Sequence, residues 1–242
     1  MAKKRFLAIL LLCTVFLCAC GKAEEKTQTE NLEFPKLAWD MTPEDVMKAF
    51  QTAKEHTVLY DENNLTTSFG ITDIDVFGQQ AERVFFSFID FASLSKMPGQ
   101  NAGKQRLCRI QAYYPQDADL TPVKKHLEQA YGTTVSEYYP FSATEPVVPQ
   151  DTMNLKPVKQ SESLQYWGSS ILSDALSEND LEACQTYWKN CRRGLNEENW
   201  DFFKDHARMV SVIFSDQEGE QGKGVEWDAH NLAVYQALAQ AY

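Results

Sequence analysis

Few groups in this 242-residue chain have the type and spacing to do chemistry. The clearest is the thiol of Cys20. Two carboxylate–imidazole pairs follow, Asp205/His206 and Asp228/His230, which could hold a divalent ion or act as base and orienter if strand pairing brought them together. The reading adopted for both is a solvated strand end. Asp73 and Asp75 share one strand face, as do Glu226 and Asp228, but no loop supplies the six to eight oxygens that Ca²⁺ takes. Ser93-Leu94-Ser95-Lys96 satisfies Ser-x-x-Lys, yet Pro98-Gly99 interrupts the helix such a nucleophile starts, and no Lys-Thr-Gly partner exists. Gly219 to Gly224 lacks the spacer and the hydroxyl of a phosphate loop and reads as a turn. His-Glu-x-x-His, Gly-x-Ser-x-Gly and Cys-x-x-Cys are all absent from the sequence. No catalytic residue, metal site or cofactor is therefore expected.

Cys20 needs the residues around it. Lys3, Lys4 and Arg5 are followed by Phe6 to Ala19, 14 uncharged and almost wholly apolar residues. As a helix that stretch reaches roughly 21 Å, short of a hydrocarbon core about 30 Å thick, so an export signal fits better than a membrane span. Its end, Leu17-Cys18-Ala19-Cys20-Gly21, resembles the lipobox of bacterial lipoproteins. The resemblance covers residues 1–21. It implies a diacylglyceryl group on the Cys20 thiol, cleavage between Ala19 and Cys20, and a body held at the extracytoplasmic face of the cell membrane. One acyl chain binds a bilayer only marginally, whereas two anchor it stably.

Acids outnumber bases, 34 to 23, for a formal charge of −11. Removing residues 1–19, with three positive charges and no negative ones, takes this to −14. Such a balance excludes a nucleic-acid partner, which requires a basic face, and keeps the body away from anionic headgroups. Residues 21–33 are polar and aperiodic and read as a flexible tether of roughly 20 Å reach. Cys108, Cys184 and Cys191 remain in the mature chain. Seven residues along one helix separate the last two by roughly 10 Å, beyond bridging range, so buried free thiols are the preferred reading.

The elements that would position any site alternate between helix and strand. Thr42, Pro43, Glu44 and Asp45 begin a helix whose apolar stripe is Val46, Met47, Phe50 and Ala53. Strands are expected at 57–60, 66–71 and 73–77, at Val84 to Ile89, and at Leu107 to Tyr114, the last with Cys108, Ile110, Ala112 and Tyr114 on one face. Asp119-Leu120-Thr121-Pro122 echoes Asp40-Met41-Thr42-Pro43 and opens a second helix that stops at Gly132. Ser177 and Asp180 start a third, carrying Leu181, Cys184, Tyr187, Trp188 and Cys191. A short helix with Trp200 and Phe203, a strand over 208–214 and another over 225–235 complete the chain. The five tryptophans are expected in the core, and Tyr138-Tyr139 as an exposed aromatic pair.

This order predicts an α+β fold: a mainly antiparallel sheet with helices packed on one face and two similar subdomains as an option. Leu37 to Val46 is similar to the helix-then-sheet modules of the outer-membrane assembly lipoproteins SmpA/OmlA, with Asp40 where those have Gly, which implies fold only. The expected organisation is a signal peptide (1–19), the lipidated cysteine and tether (20–33), an α+β part (34–139), a proline-containing loop (140–160) and a C-terminal α+β part (161–242). The expected role is a non-enzymatic protein- or ligand-binding module of the cell envelope, its partner an envelope protein or glycan. The alternative is a lipid-anchored hydrolase or glycan-binding protein acting on cell-wall or exogenous polymers.

Overall fold

A computed structural model describes residues 31–94, 103–139, 156–191, 197–217 and 222–239. Helix α1, Pro43–Ala49, begins with a capping box: Asp45 N–H donates to Thr42 Oγ1 (3.3 Å), and Thr42 N–H donates to the Asp45 carboxylate (3.0 Å). One turn of 3₁₀ helix at Lys54–His56 leads into β1, Val58–Glu62. Then come β2, Thr66–Val76, and β3, Gln79–Ile89. Phe77 (φ 57°) and Gly78 (φ 83°) join them in a two-residue turn, the conformation whose twist suits a tight hairpin. The strands expected at 66–71 and 73–77 are thus one. Asp73, at φ 59°, disturbs their alternation without ending the strand, and Ile71 and Ile74 join the same core.

A four-residue turn of helix α2, Phe91–Leu94, precedes β4, Arg106–Tyr114, and helix α3, Thr121–Tyr131. The α3 start does not copy that of α1. Asp119 Oδ1, not a Thr121 hydroxyl, accepts the Thr121 N–H at 3.0 Å. Gly132 ends α3 at φ 72°, as expected. The rest of the chain carries β5, Glu137–Tyr138, β6, Val158–Lys159, β7, Leu164–Gly168, and helices α4, Leu172–Ala175, α5, Glu178–Cys191, and α6, Glu197–His206. Last are β8, Ser211–Asp216, β9, Lys223–Asp228, and helix α7, His230–Ala239. The strand expected over 225–235 therefore stops at Asp228, where Asp228 Oδ1 accepts the N–H of His230 (3.0 Å) and the chain turns into helix.

Among the described residues seven strands form one antiparallel sheet in the order β1-β2-β3-β4-β9-β8-β7, with β5 and β6 as a separate pair. The α+β class with a mainly antiparallel sheet is as expected. Its helices divide. Helices α1 and α3 cover one face over a core of Phe69, Phe86, Ile110, Leu127, Trp167 and Trp227. Helices α4 to α7 gather at one end of the opposite face over a second core that includes Phe91, Leu172, Trp188, Phe203 and Val234. Strand β4, from the first half of the chain, pairs with β9, from its end, so the two α+β parts share one sheet. Leu32 packs on the first core and Glu33 N–H donates to the Tyr131 hydroxyl (3.0 Å), so the body takes hold of the chain within the last residues read as tether. Among the described residues, no helix is long and apolar enough to cross a membrane.

Candidate functional site

The most concentrated chemistry lies where β4, β9 and α7 meet. Strand β4 carries a bulge: Ser87 pairs with Arg109 and Phe88 with Leu107, so Cys108 has no partner on β3, while its carbonyl accepts the N–H of Ala229 (2.9 Å) on the other side. One extra residue reverses the alternation that follows it. Leu107 stays with Ile110, Ala112 and Tyr114 in the first core, while Cys108 turns to the opposite face and joins the second. The expected grouping of Cys108 with Ile110 is corrected accordingly.

The bulge aims the thiol at His230. Cys108 Sγ lies 3.6 Å from His230 Nε2 and donates to the Ser87 carbonyl at 3.3 Å. On the other side of the ring, Nδ1 is 3.3 Å from Asp228 Oδ1. Burial opposes a charge on His230, yet Cys108 and Asp228 outweigh it and hold the imidazole above its ordinary pKa, at about 10. Burial likewise opposes the Asp228 carboxylate, and His230 and Arg109 bring it below the usual range. Next along the strands, Arg109 Nη2 meets Glu226 at 2.7 Å and Gln111 donates to the same oxygen at 2.9 Å. The adjacent pair Glu226 and Asp228 is therefore consumed by two different cations.

Thiol, imidazole and carboxylate stand in the order nucleophile, base, orienter. What they can do is limited by access. Cys108 has no exposed surface, and reactive thiols occupy partly open, electropositive sites. A small cavity of about 30 Å³, lined by Tyr138, Tyr139, His206, Ser211, Asp228 and His230, reaches the imidazole but not the sulfur. It has room for one or two water molecules. Both carboxylate–imidazole pairs singled out in the sequence thus contribute to one cavity, though Asp205 itself is exposed. His206 is held by its own helix, with Nδ1 2.8 Å from the Phe202 carbonyl and its ring stacked 4.1 Å from Phe202. No group of three metal-ligating side chains occurs among the described residues.

Tyr138 and Tyr139 are not the exposed pair expected. Tyr138 stacks on Tyr166 with ring centroids 4.7 Å apart, and Tyr139 packs edge-on to His206 at 4.5 Å. Burial, together with the nearby charges of Asp228 and Glu226, keeps the Tyr138 phenol protonated. Asp75 accepts the N–H of Gly78 (3.1 Å) and serves the hairpin turn. Ser93 Oγ accepts the N–H of Gly103 (3.2 Å), while Lys96 lies outside the described residues. So do Cys20, the signal segment and residues 218–221 of the glycine-rich turn. Trp167, Trp188, Trp200 and Trp227 are buried, as expected, and Trp39 is half-buried.

A second, larger cavity was not anticipated. It measures about 190 Å³ and opens between Trp39, the β3–α2 corner (Ile89, Phe91), the start of β4 (Lys104, Arg106) and α7 (Ala233). Its residues come from four separate stretches, so no local motif announces it. Comparison with known proteins yields no matching family model, curated sequence or solved structure.

Proposed function

We propose that this chain is a lipid-anchored protein of the extracytoplasmic cell membrane whose α+β body is a binding module. The anchor rests on the lipobox-like run ending at Cys20 and on the basic, then apolar, stretch before it. The binding role rests on one observation: the 190 Å³ cavity brings together apolar side chains (Trp39, Ile89, Phe91, Ala233) and charged ones (Asp40, Asp90, Lys104, Arg106) from four stretches of the chain. Small-molecule sites likewise pair apolar side chains with a few convergent polar groups. Native mass spectrometry of the lipoprotein purified from its membrane tests the reading. A bound small-molecule mass in the wild type, lost when Ala233→Phe fills the cavity, is expected. An unliganded mass, with no envelope protein captured by surface cross-linking, overturns it.

The Cys108–His230–Asp228 arrangement favours a second reading, a lipid-anchored hydrolase with a thiol nucleophile. That role requires an opening which brings substrate to a sulfur now sealed. Turnover of a peptide or glycan panel that Cys108→Ala abolishes would establish it in place of the first.

A further inference from the structure

Two elements lead from the buried thiol towards the larger cavity. On α7, Ala233 and Ala237 follow His230 by three and seven residues, a spacing that puts all three on one face of the helix. Both alanines line the cavity, and His230 stands only about 4.5 Å from Ala233 along the helix axis. On β3, the Ser87 carbonyl accepts the hydrogen bond of the Cys108 thiol (3.3 Å), and Ile89, next on that face of the strand, lines the cavity. Phe91 belongs to both places. Its ring is part of the cavity wall, stands edge-on to the imidazole with centroids 5.8 Å apart, and joins the buried cluster that holds Cys108. It is carried by α2, a single turn of four residues, and a further neighbour is the Tyr187 ring of α5 at 6.2 Å.

We propose that the larger cavity and the Cys108–His230–Asp228 group are one site, divided by the ring of Phe91. With the ring in place, the sulfur is sealed and the cavity is a separate hollow of about 190 Å³. With the ring turned aside, the thiol joins the inner wall of that hollow, with His230 and Asp228 behind it in the order of base and orienter. The hollow lies below the size of drug-sized pockets, so what meets the thiol there is a small molecule or one residue of a longer one. Phe91 is on this account a gating residue and not a catalytic one, since it touches the thiol group only by covering it. The proposal rests on the thiol reading above and supplies the opening which that reading requires.

Alkylation of the full lipidated protein in detergent by iodoacetamide, followed at Cys108 and Cys184 by peptide mass spectrometry, tests the division. Phe91→Ala should make Cys108 react at least about 10-fold faster than in the wild type, because a local barrier has gone, while Cys184 stays protected. Adding Ala233→Phe to that variant should restore protection by refilling the cavity. Phe91→Leu, a smaller cut that keeps the core filled, should act in the same direction and serves if the alanine variant does not fold. Cys108 as slow as in the wild type in the folded variants overturns the proposal, and so does a rise in which both thiols quicken together. Failure of Ala233→Phe to restore protection overturns it too, since the route to the sulfur then lies elsewhere. If Cys108 is exposed as expected but no peptide or glycan is turned over, the hydrolase reading falls and the single site stands. If Cys108→Ala abolishes turnover while the Phe91 variants leave the thiol as slow as before, the hydrolase reading stands and the single site falls.

Discussion

Tyr131 shows how much one side chain can organise. Its hydroxyl accepts the Trp227 indole N–H (3.1 Å) and the Glu33 N–H (3.0 Å), tying α3, β9 and the incoming chain together. Tyr131→Phe keeps the ring and orphans both donors, so urea unfolding should show a loss of about 1–3 kcal/mol. His230 makes a different prediction. Its folded pKa, about 10, lies above the ordinary 6.5, so its charged form stabilises the fold fully below about pH 6.5 and this contribution fades as pH rises towards 10. Melting temperature should fall across that window in the wild type, and less steeply in His230→Gln. Cys108 should resist iodoacetamide at neutral pH while the protein is folded and react once it is unfolded. Cys184, also buried, is pushed up to about 12 and should behave likewise. Asp228 and His230 were visible as a pair because only one residue separates them. Their thiol partner was hidden, because a bulge leaves no mark in the pattern of apolar residues. Read as a regular strand, β4 puts Cys108 on the wrong side.

Elements were legible where their signals are local. Thr42-Pro43-Glu44-Asp45 states the start of α1 in four residues, and Thr42→Ala should cost about 1 kcal/mol in thermal or denaturant unfolding. The echo at 119–122 does start a helix, but its local bonding differs: Leu120 stands at the N-cap without a side-chain cap, and Asp119 Oδ1 accepts the Thr121 N–H. Leu232, Val234 and Tyr235 could continue a strand, but Asp228 Oδ1 accepts the N–H of His230 and the chain turns into helix there. Close approach between strands is equally silent in sequence. A Cβ on Gly224 would stand 2.6 Å from the Ala112 carbonyl oxygen. On Gly70 it would meet Val58 and Phe85 side chains at 2.7 and 2.8 Å. Gly224→Ala should therefore destabilise the protein more than Gly70→Ala, because the obstruction is backbone in one case and movable side chain in the other. Paired melting curves decide the order.

At the scale of the molecule, composition and element order were sufficient for the class of fold, since runs of strands flanked by helices leave few packings open. Strand order was not legible, because the pairing of β4 with β9 joins residues more than a hundred positions apart. Neither cavity could be foreseen, for each is assembled from several segments that only the folded sheet brings together. The proposed anchor belongs to this scale too. Cys20→Ala should abolish palmitate labelling and shift the protein from the membrane to the soluble fraction, leaving its melting temperature unchanged.

Strand β9 also sets a timetable. Among the described residues it alone connects the β1–β4 meander to β8 and β7, and no described strand follows it. Until residues 223–228 have emerged, two partial sheets wait with raw edges, each a template for pairing with the wrong chain. For the export proposed above this delay is an advantage, because the seven-stranded sheet cannot close before residues 223–228 are made. Its cost is a long exposed interval, so a version ending at residue 217 should accumulate as aggregate and not as a smaller folded body.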